Sequence, residues 1–284
     1  MSSVAAAVAE ATATLTDAGV ASPLFDAQTL AASVLGIDRM QLIFSRDAEM
    51  PEAFFDLVAQ RAARVPLQHI VGSASFGPLE LAVGPGVFIP RPETELLALW
   101  ALEQVEELQR QGVEKPRVLD LCTGSGALAL YVASRARGAE VHAVELDPQA
   151  AAWTRRNIAA HAPWVELTMA DVTAPGLLAG EAAFDVIVSN PPYVPASTPV
   201  SPEVQADPQH AVFSGESGMD CIVAMMPNVV ALSRPGTVVG IEHDDATSAQ
   251  VVDVFGASGQ FEQVQPRQDL AGRLRFVTAR RRGE

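Results

Sequence analysis

The chain has 284 residues, of which 49% are hydrophobic and 19% are charged. This length accommodates one large or two modest domains, and the hydrophobic content is sufficient to fill their cores. With 19 basic and 34 acidic residues the formal net charge is −15, whereas a protein that holds duplex DNA through its phosphates is expected to present a basic face. We interpret the densest basic run, at residues 280–282, as a solvated terminus.

Cysteine usage and hydropathy predict the cellular compartment. Cys122 and Cys221 lie far apart without metal-ligand spacing, which is typical of reduced thiols in an intracellular protein and predicts no metal site. No apolar run reaches ~18 residues, so we expect no transmembrane helix. The alanine-rich start lacks the basic region of a signal peptide and contains Glu10. We therefore expect a cytoplasmic protein, not bound to a membrane, and a monomer.

Residues 1–72 are predicted to form a small helical domain. Its second helix is predicted to begin at Ser22, with Asp26 completing a pattern like a capping box, and to end near Gly36. A further helix is predicted to begin at Pro51. Such a module suits the recognition of a substrate.

Residues 73–92 carry several glycines and prolines between short apolar runs, which predicts a β-hairpin linker. From residue 93 to 284, helical and strand-like patterns alternate, which predicts a Rossmann-like, doubly wound α/β domain. Residues 194–217 show no clear periodicity, and loops of that length are often functional. The predicted fold is therefore α/β with a helical N-terminal domain.

The most informative motif is Asn190-Pro191-Pro192-Tyr193, which directly follows a short apolar run that predicts a buried strand. The prolines stiffen the loop, so that Asn190 Oδ1 and the Pro191 carbonyl can each accept one hydrogen of a planar N–H₂ group. Tyr193 offers a flat face on which that group can pack. The motif serves an amide and an exocyclic amino group of a nucleobase equally well. The alternative interpretation is a proline-rich loop with an Asn turn residue.

A second motif is Thr123-Gly124-Ser125-Gly126, which lies between a strand-like run and a helical pattern. Strand, glycine turn and helix are the elements of a nucleotide-binding βαβ unit. The next predicted strand ends in Glu145, about 20 residues past the glycines, where a carboxylate can bind ribose hydroxyls. By itself this spacing also fits a site for NAD.

Two acids favour S-adenosylmethionine as the cofactor. Asp120 precedes the glycines and is placed to hold an α-amino group, and Asp171 follows the next predicted strand and is placed to accept from an adenine amino group. The alternative for each is a helix cap or a solvated loop residue. We interpret Asp147, which precedes a proline, as a helix cap.

The chain resembles the HemK/PrmC-type methyltransferases, which methylate a peptide chain release factor on the side-chain nitrogen of a glutamine. The matching residues are 87–95, 118–127, 188–193, 207–208 with 215–220, and 269–273. The resemblance extends from roughly residue 60 to the end, and the helical N terminus is also of this kind. The Pro-Arg-Pro-Glu-Thr-Glu sequence at residues 90–95 is the most specific match, because generic amino-methyltransferases lack it. Cys122 departs from the family pattern, in which a glycine is usual, as do Glu145 and Asp244.

The resemblance implies a role for each matching residue. The loop of Cys122, Thr123, Gly124, Ser125 and Gly126 would cradle S-adenosylmethionine with the help of Asp120, and Glu145 would hold its ribose. Asp171 and Val172 would bracket the adenine, and Phe88 would pack near the sulfonium. Asn190, Pro191, Pro192 and Tyr193 would bind the substrate glutamine, with Asn190 also touching the cofactor. No histidine is assigned a catalytic role.

The resemblance also implies the substrate, which is the glutamine of the Gly-Gly-Gln motif in class 1 release factors. An N6-adenine-type nucleic-acid methyltransferase is the main alternative, since the motif at Asn190 permits it. An NAD-dependent oxidoreductase would leave that motif without a role. A non-catalytic adaptor would leave both motifs without one.

Overall fold

The computed structural model describes residues 2–269 and 271–283. In chain order the helices are α1 (Val4–Asp17), α2 (Pro23–Leu35), α3 (Ala53–Ala62), α4 (Leu67–Val71), α5 (Thr94–Arg110), α6 (Ala127–Arg135), α7 (Pro148–His161), α8 (Pro202–Gln205), α9 (Gln209–Val212), α10 (Asp220–Ala231) and α11 (Ser248–Ser258). Two 3-10 helices, Arg39–Ser45 and Asp245–Thr247, follow α2 and precede α11.

The strands are β1 (Ser73–Phe76), β2 (Leu79–Ala82), β3 (Arg117–Leu121), β4 (Glu140–Glu145), β5 (Glu166–Met169), β6 (Phe184–Ser189), β7 (Ser233–Glu242), β8 (Phe261–Gln268) and β9 (Leu274–Arg281). The helices and strands that the sequence predicts are present, including the hairpin of β1 and β2. The closing strands β8 and β9 are each eight residues long.

One compact unit contains residues 2–73 together with 200–206. Its core is built from small and aliphatic side chains of α1 and α2 around the fully buried Phe54 of α3. Small residues such as Ala7, Ala27 and Ala31 permit close packing of the two helices, because little side-chain volume separates their backbones. In the described part of the chain, no helix is both long and apolar enough to cross a membrane.

The predicted capping box at the start of α2 is wrong. The Ser22 side chain caps none of the described backbone N–H groups, and Asp26 is instead buried and accepts from Arg61 Nε at 2.7 Å. Arg61 also donates to Glu203 of α8 at 2.9 Å, and two charge-assisted bonds compensate for burying the guanidinium. Arg64 also donates to Glu203, at 2.6 Å. This hydrogen bond is the largest of the effects that lower the pKa of Glu203 to about 2.

The second unit, Ala74–Pro199 with residues 207–283, contains the main sheet. Its described strands have the order β5-β4-β3-β6-β7-β9-β8. Strands β3 to β7 are parallel, and β9 runs antiparallel between β7 and β8. Apolar residues alternate between the two faces, so that Val118 packs with α5 and α6 while Leu119 packs with α10 and α11. The prediction of a Rossmann-like, doubly wound domain is confirmed.

The register brings several polar residues to one edge of the sheet. Leu121 lies opposite both Val144 and Ser189, and Ser189 lies opposite Ile241. Because these strands are parallel, the residues that follow them meet at the same carboxyl edge. Strand order reverses beside β3, and ligands of open α/β sheets bind at such a crevice.

Candidate active site

A cavity of about 240 Å³ opens at the carboxyl ends of β3, β4 and β6. Its walls come from the glycine loop, from the segments after β4, β5 and β6, and from the residues that precede α5. The predicted site residues that line it are Phe88, Cys122, Thr123, Gly124, Ser125, Glu145, Asp171, Val172, Asn190 and Pro192. The structure thus brings both sequence motifs into one site.

Asp120 holds the glycine loop from below. Its Oδ2 accepts from Thr123 Oγ1 at 2.5 Å and from the backbone N–H of Ala129 at 3.1 Å, in the first turn of α6. Its Oδ1 is buried and has no hydrogen-bond partner among the described residues. Burial raises the pKa of Asp120 to about 7, against the effect of these two hydrogen bonds. The helix-cap interpretation of this residue is therefore correct in part, because it caps α6 from the end of β3.

The backbone conformation at Cys122 explains why the family usually has a glycine at this position. The φ of Cys122 is 62°, in the left-handed region that favours glycine, and the residue directly follows β3, which ends at Leu121. A glycine at this position adopts the conformation without steric cost. The Cys122 thiol is hydrogen-bonded to that of Cys221, which the sequence did not place nearby, and this bond raises the pKa of Cys122 and lowers that of Cys221.

Glu145 accepts from three backbone N–H groups in two loop segments. Its Oε2 accepts from the N–H of Gly124 at 2.8 Å, while its Oε1 accepts from the N–H groups of Leu146 and Asp147, both at 2.9 Å. A carboxylate offers about four acceptor positions, so capacity remains for a ligand hydroxyl. Asp147 caps α7 by accepting from Gln149 N at 2.7 Å, as predicted.

The segment after β5 forms another wall. Asp171 Oδ1 accepts from the N–H and the hydroxyl of Thr173, at 2.8 and 2.6 Å, and these bonds lower the pKa of Asp171. Asn228 of α10 donates to the carbonyls of Val172 and Ala174, both at 2.8 Å. The wall is thus fixed by long-range hydrogen bonds that no sequence spacing reveals.

Asn190 lies at the end of β6 and faces the cavity. Its Nδ2 donates to Thr94 Oγ1 at 3.1 Å. Because this bond directs Nδ2 towards Thr94, Oδ1 on the other side of the amide is the atom that a ligand can meet as an acceptor. Tyr193, two residues past Pro191, instead donates its hydroxyl to Glu242 Oε1 at 3.1 Å.

The family-specific residues 87–95 are fixed by a second matching block. The carboxylate of Asp207 accepts from Arg91 Nη2 at 2.6 Å and from the N–H of Ile89 at 3.4 Å. The guanidinium of Arg91 lies 4.9 Å from the centre of the Phe88 ring. Burial raises the pKa of Asp207 to about 6, against the attraction of Arg91. Two sequence blocks that lie far apart thus act together to hold Phe88 at the cavity.

Gly218 lies too close to the Asn190 segment for any other residue to replace it. A Cβ at Gly218 would lie 2.2 Å from the Tyr193 carbonyl oxygen, at a φ of 80°. Only glycine allows this close approach, so that the block at residues 215–220 supports the Asn190 segment. The match at residues 269–273 includes residue 270, which lies outside the described residues. Within that block, Asp269 accepts from Arg275 Nε at 2.9 Å.

Four predicted site residues, Asp120, Gly126, Pro191 and Tyr193, are not among the described residues that line the cavity. Other residues line the cavity although the sequence did not indicate them. The polar ones are Thr94, Thr173, His210 and Cys221. Thr94 lies within the block at residues 87–95 that carries the resemblance, and this block is the only feature of the sequence that could have indicated its place in the site. His210 lies 2.9 Å from Asp147 Oδ2 through Nε2, and no sequence pattern indicated this pair. No group of three or more His, Cys, Asp or Glu residues is arranged for a metal ion in the described part of the chain.

Comparison with known proteins identifies the family. The chain is 52% identical over 276 residues to a release factor glutamine methyltransferase of Corynebacterium glutamicum, with 97% of this chain and 98% of that protein covered. It is 46% identical to the protein of the same name from Mycobacterium tuberculosis, over 96% of this chain and 90% of that protein. The chain belongs to the release factor glutamine methyltransferase family. The resemblance inferred from the sequence blocks is confirmed.

Family models divide this methyltransferase into two matching regions. Residues 6–72 match the PrmC N-terminal domain, and residues 102–205 match the methyltransferase small domain. Among solved structures, the 16S rRNA N2 G1207 methyltransferase of Thermus thermophilus, in complex with AdoMet and guanosine, is similar, with 27% identity and a TM-score of 0.52. The match covers 74% of this chain and 50% of that one. The catalytic domain of hMettl16 shares the fold, with a TM-score of 0.56 at 14% identity over 80% of this chain and 82% of that one.

Two variants of Cys122 test the conformation of the glycine loop. Cys122→Gly and Cys122→Ala both remove the thiol, and they differ only in the Cβ carried at a φ of 62°. Because an L-residue in the left-handed region costs roughly 1–2 kcal/mol, the glycine variant should exceed the alanine variant in free energy of unfolding by about 1 kcal/mol. Urea unfolding without cofactor measures this difference. A more stable alanine variant would show that the loop leaves this conformation.

Proposed function

We propose that the protein transfers the methyl group of S-adenosylmethionine to the side-chain amide nitrogen of a glutamine in a peptide chain release factor. The observation that carries this proposal is the orientation of Asn190. Its Nδ2 is engaged by Thr94 at 3.1 Å, so that Oδ1 is left as an acceptor in the same cavity as the glycine loop and Glu145. A fixed acceptor of this kind suits an incoming N–H₂ group.

The cavity suits S-adenosylmethionine in charge and in shape. Glu145 and Asp171 offer carboxylates for the ribose hydroxyls and the adenine amino group, and Val172 and Phe88 offer apolar surface for the adenine and near the sulfonium. A Cβ on Gly124 would meet nothing within 4 Å in the described part of the chain, so the backbone there is open to a ligand. Asp120 Oδ1 adds a buried acceptor beneath the loop. When bound, the cofactor supplies a methyl group on a positively charged sulfur.

Asn190 and Pro191 orient the nucleophile in this proposal. An amide nitrogen is a weak nucleophile because its lone pair is delocalised into the carbonyl. Asn190 Oδ1 would accept one of its hydrogens and stabilise the positive charge that develops on nitrogen as it attacks. The Pro191 carbonyl, which is not among the described residues that line the cavity, is the second acceptor in this proposal. No residue is required to remove a proton before the attack, because the proton can leave once nitrogen carries the methyl group. Apolar walls at Phe88 and Leu128 keep water from the reacting atoms.

The substrate that we infer is a class 1 release factor, at the glutamine of its Gly-Gly-Gln motif. The relatives are release factor glutamine methyltransferases, which supports a release factor as the substrate, and the blocks at residues 90–95 and 190–193 support a glutamine amide. The net charge of −15 suits a basic protein partner that itself binds ribosomal RNA. We infer further that the enzyme is a cytoplasmic monomer that does not bind nucleic acid directly.

Methyl transfer from labelled S-adenosylmethionine tests the function. An unmethylated class 1 release factor, the same factor with its Gly-Gly-Gln glutamine replaced, and duplex DNA are offered side by side. Label on the first factor alone is the expected result. Label on DNA alone would replace the proposal with a nucleic-acid methyltransferase, and label on the altered factor would move the acceptor to another residue.

The variant Asn190→Ala removes the proposed acceptor. Turnover should fall by about 100-fold or more, as it does when one preorganised hydrogen-bond partner of a developing charge is lost. The dissociation constant of the cofactor should change little. Calorimetry and a methyl transfer assay measure the two quantities separately, and an undiminished turnover would exclude the proposed role.

The variant Glu145→Ala tests the proposed ribose contact. Loss of this acceptor should weaken cofactor binding by roughly 1–3 kcal/mol. Glu140→Ala is the matched control, because Glu140 lies at the opposite end of the same strand and pairs at the surface with Arg117 at 3.5 Å. The control should bind as the wild type does. Equal affinities of all three proteins on calorimetric titration would refute the assignment.

A further inference from the structure

We propose that Glu242 is a positioning residue that sets the direction of the Asn190 amide through Thr94 and anchors Tyr193 directly. The inference rests on the proposed role of Asn190 in binding a substrate amide. Glu242 is 2% exposed and ends β7, the strand next to β6. It lies beneath the segment that carries the motif, and it does not line the cavity among the described residues.

The hydroxyl of Thr94 links Asn190 to Glu242. Thr94 Oγ1 accepts from Asn190 Nδ2 at 3.1 Å. A hydrogen bond from the Thr94 side chain is also one of the causes that lower the pKa of Glu242. A hydroxyl has one hydrogen, and since Asn190 Nδ2 is a donor, Thr94 must donate its hydrogen to Glu242. Tyr193 likewise donates to Glu242 Oε1 at 3.1 Å.

An ionised Glu242 therefore determines which group donates and which accepts in each hydrogen bond of this network. A carboxylate can only accept, so it requires both hydroxyls to donate to it. Thr94 is then left with only its lone pairs for Asn190, and the Asn190 amide must present its nitrogen to Thr94. Its oxygen is directed to the ligand. A donor at position 242 would permit the reverse order, in which Asn190 Oδ1 accepts from Thr94 and its nitrogen is directed to the ligand.

The charge of Glu242 responds to pH near neutrality. Burial raises its pKa to about 7, against the hydrogen bonds from Thr94 and Tyr193 and the attraction of Arg275, while Glu93 adds to the rise. The nearby Tyr193 has its own pKa raised, mainly by burial and also by Glu242. Because the pKa of Glu242 is raised, the carboxylate is present above about pH 7 and is lost below it. The network is complete on the alkaline side.

The first experiment compares Glu242→Gln with the wild type in single-turnover methyl transfer to a release factor at saturating cofactor. Glutamine combines an acceptor oxygen with a donor NH₂ group, as a protonated carboxyl combines an acceptor oxygen with a donor hydroxyl. At pH 8.5 the variant should be slower by about 10- to 100-fold, because a misdirected group costs about that much. Below pH 6 the two rates should converge to within about threefold. Asp120 and Asp207 titrate in both proteins, so their effects cancel in the ratio of the two rates at each pH.

Glu262→Gln is the matched control, because Glu262 is an exposed strand residue of the same type. Its rate should equal that of the wild type at every pH. A Glu242→Gln enzyme as fast as the wild type at pH 8.5, or equally impaired at both pH values, would overturn the inference. Wild-type transfer to the release factor in the same assay keeps this failure distinct from a failure of the proposed function.

The second experiment needs neither cofactor nor substrate. The side-chain ¹⁵N–H₂ resonances of Asn190, assigned by their loss in Asn190→Ala, are followed against pH in the free protein. They should shift with a midpoint near pH 7 in the wild type and stay constant in Glu242→Gln. Thr94→Val, which keeps the shape and removes the link, should also abolish the shift, and Thr94→Ser should restore it. A shift of undiminished size in Glu242→Gln would refute the coupling even if no release factor is methylated, because Asp120, which titrates near the same pH, is present in both proteins.

Discussion

The cavity depends on hydrogen bonds from its loops to three buried carboxylates at the carboxyl edge of the sheet. Asp120 near the end of β3, Glu145 at the end of β4 and Glu242 at the end of β7 are each less than 9% exposed. Each accepts from a different segment that lines or supports the cavity. Asp120 holds Thr123 and the start of α6, Glu145 holds Gly124 and the residues before α7, and Glu242 holds Tyr193 and Thr94.

This arrangement follows from the parallel sheet. Parallel strands bring their carboxyl ends to one edge, where the backbone N–H groups of the following turns need acceptors. Carboxylates satisfy them with charge-assisted bonds, which are stronger than neutral ones. Burial raises the pKa values of Asp120 and Glu242 to about 7, so the same groups that make the walls rigid also make their hydrogen-bond pattern sensitive to protonation.

The sequence predicts those parts of the site that depend on local conformation. The glycine loop and Asn190 directly follow strands and Glu145 ends one, so that their positions at the edge of the sheet follow from the alternation of strand and helix. Asp147 is a correct prediction for the same reason, since a cap requires only its own helix. The predicted capping box at Asp26 is wrong because Asp26 accepts a hydrogen bond from Arg61, which is distant in sequence, instead of taking part in a cap of α2. Local propensity is overridden wherever a buried charge finds an opposite charge.

The rest of the site was not predictable because it depends on pairs that are distant in sequence. Thr94 and Asn190, Arg91 and Asp207, and Cys122 and Cys221 meet only after the sheet has formed. Glu242 shows the difficulty best, because it ends an ordinary strand and no motif marks it. Its role emerges only when each hydroxyl hydrogen of the network is assigned to one acceptor.

The most direct test of this account is a double-mutant cycle between Thr94→Val and Asn190→Ala in single-turnover methyl transfer at saturating cofactor. If Thr94 acts by directing Asn190, its replacement should slow the wild type by about tenfold and should have no further effect once Asn190 is alanine. If the valine variant slows both backgrounds equally, Thr94 acts independently of Asn190, and the hydrogen-bond network does not orient the substrate amide.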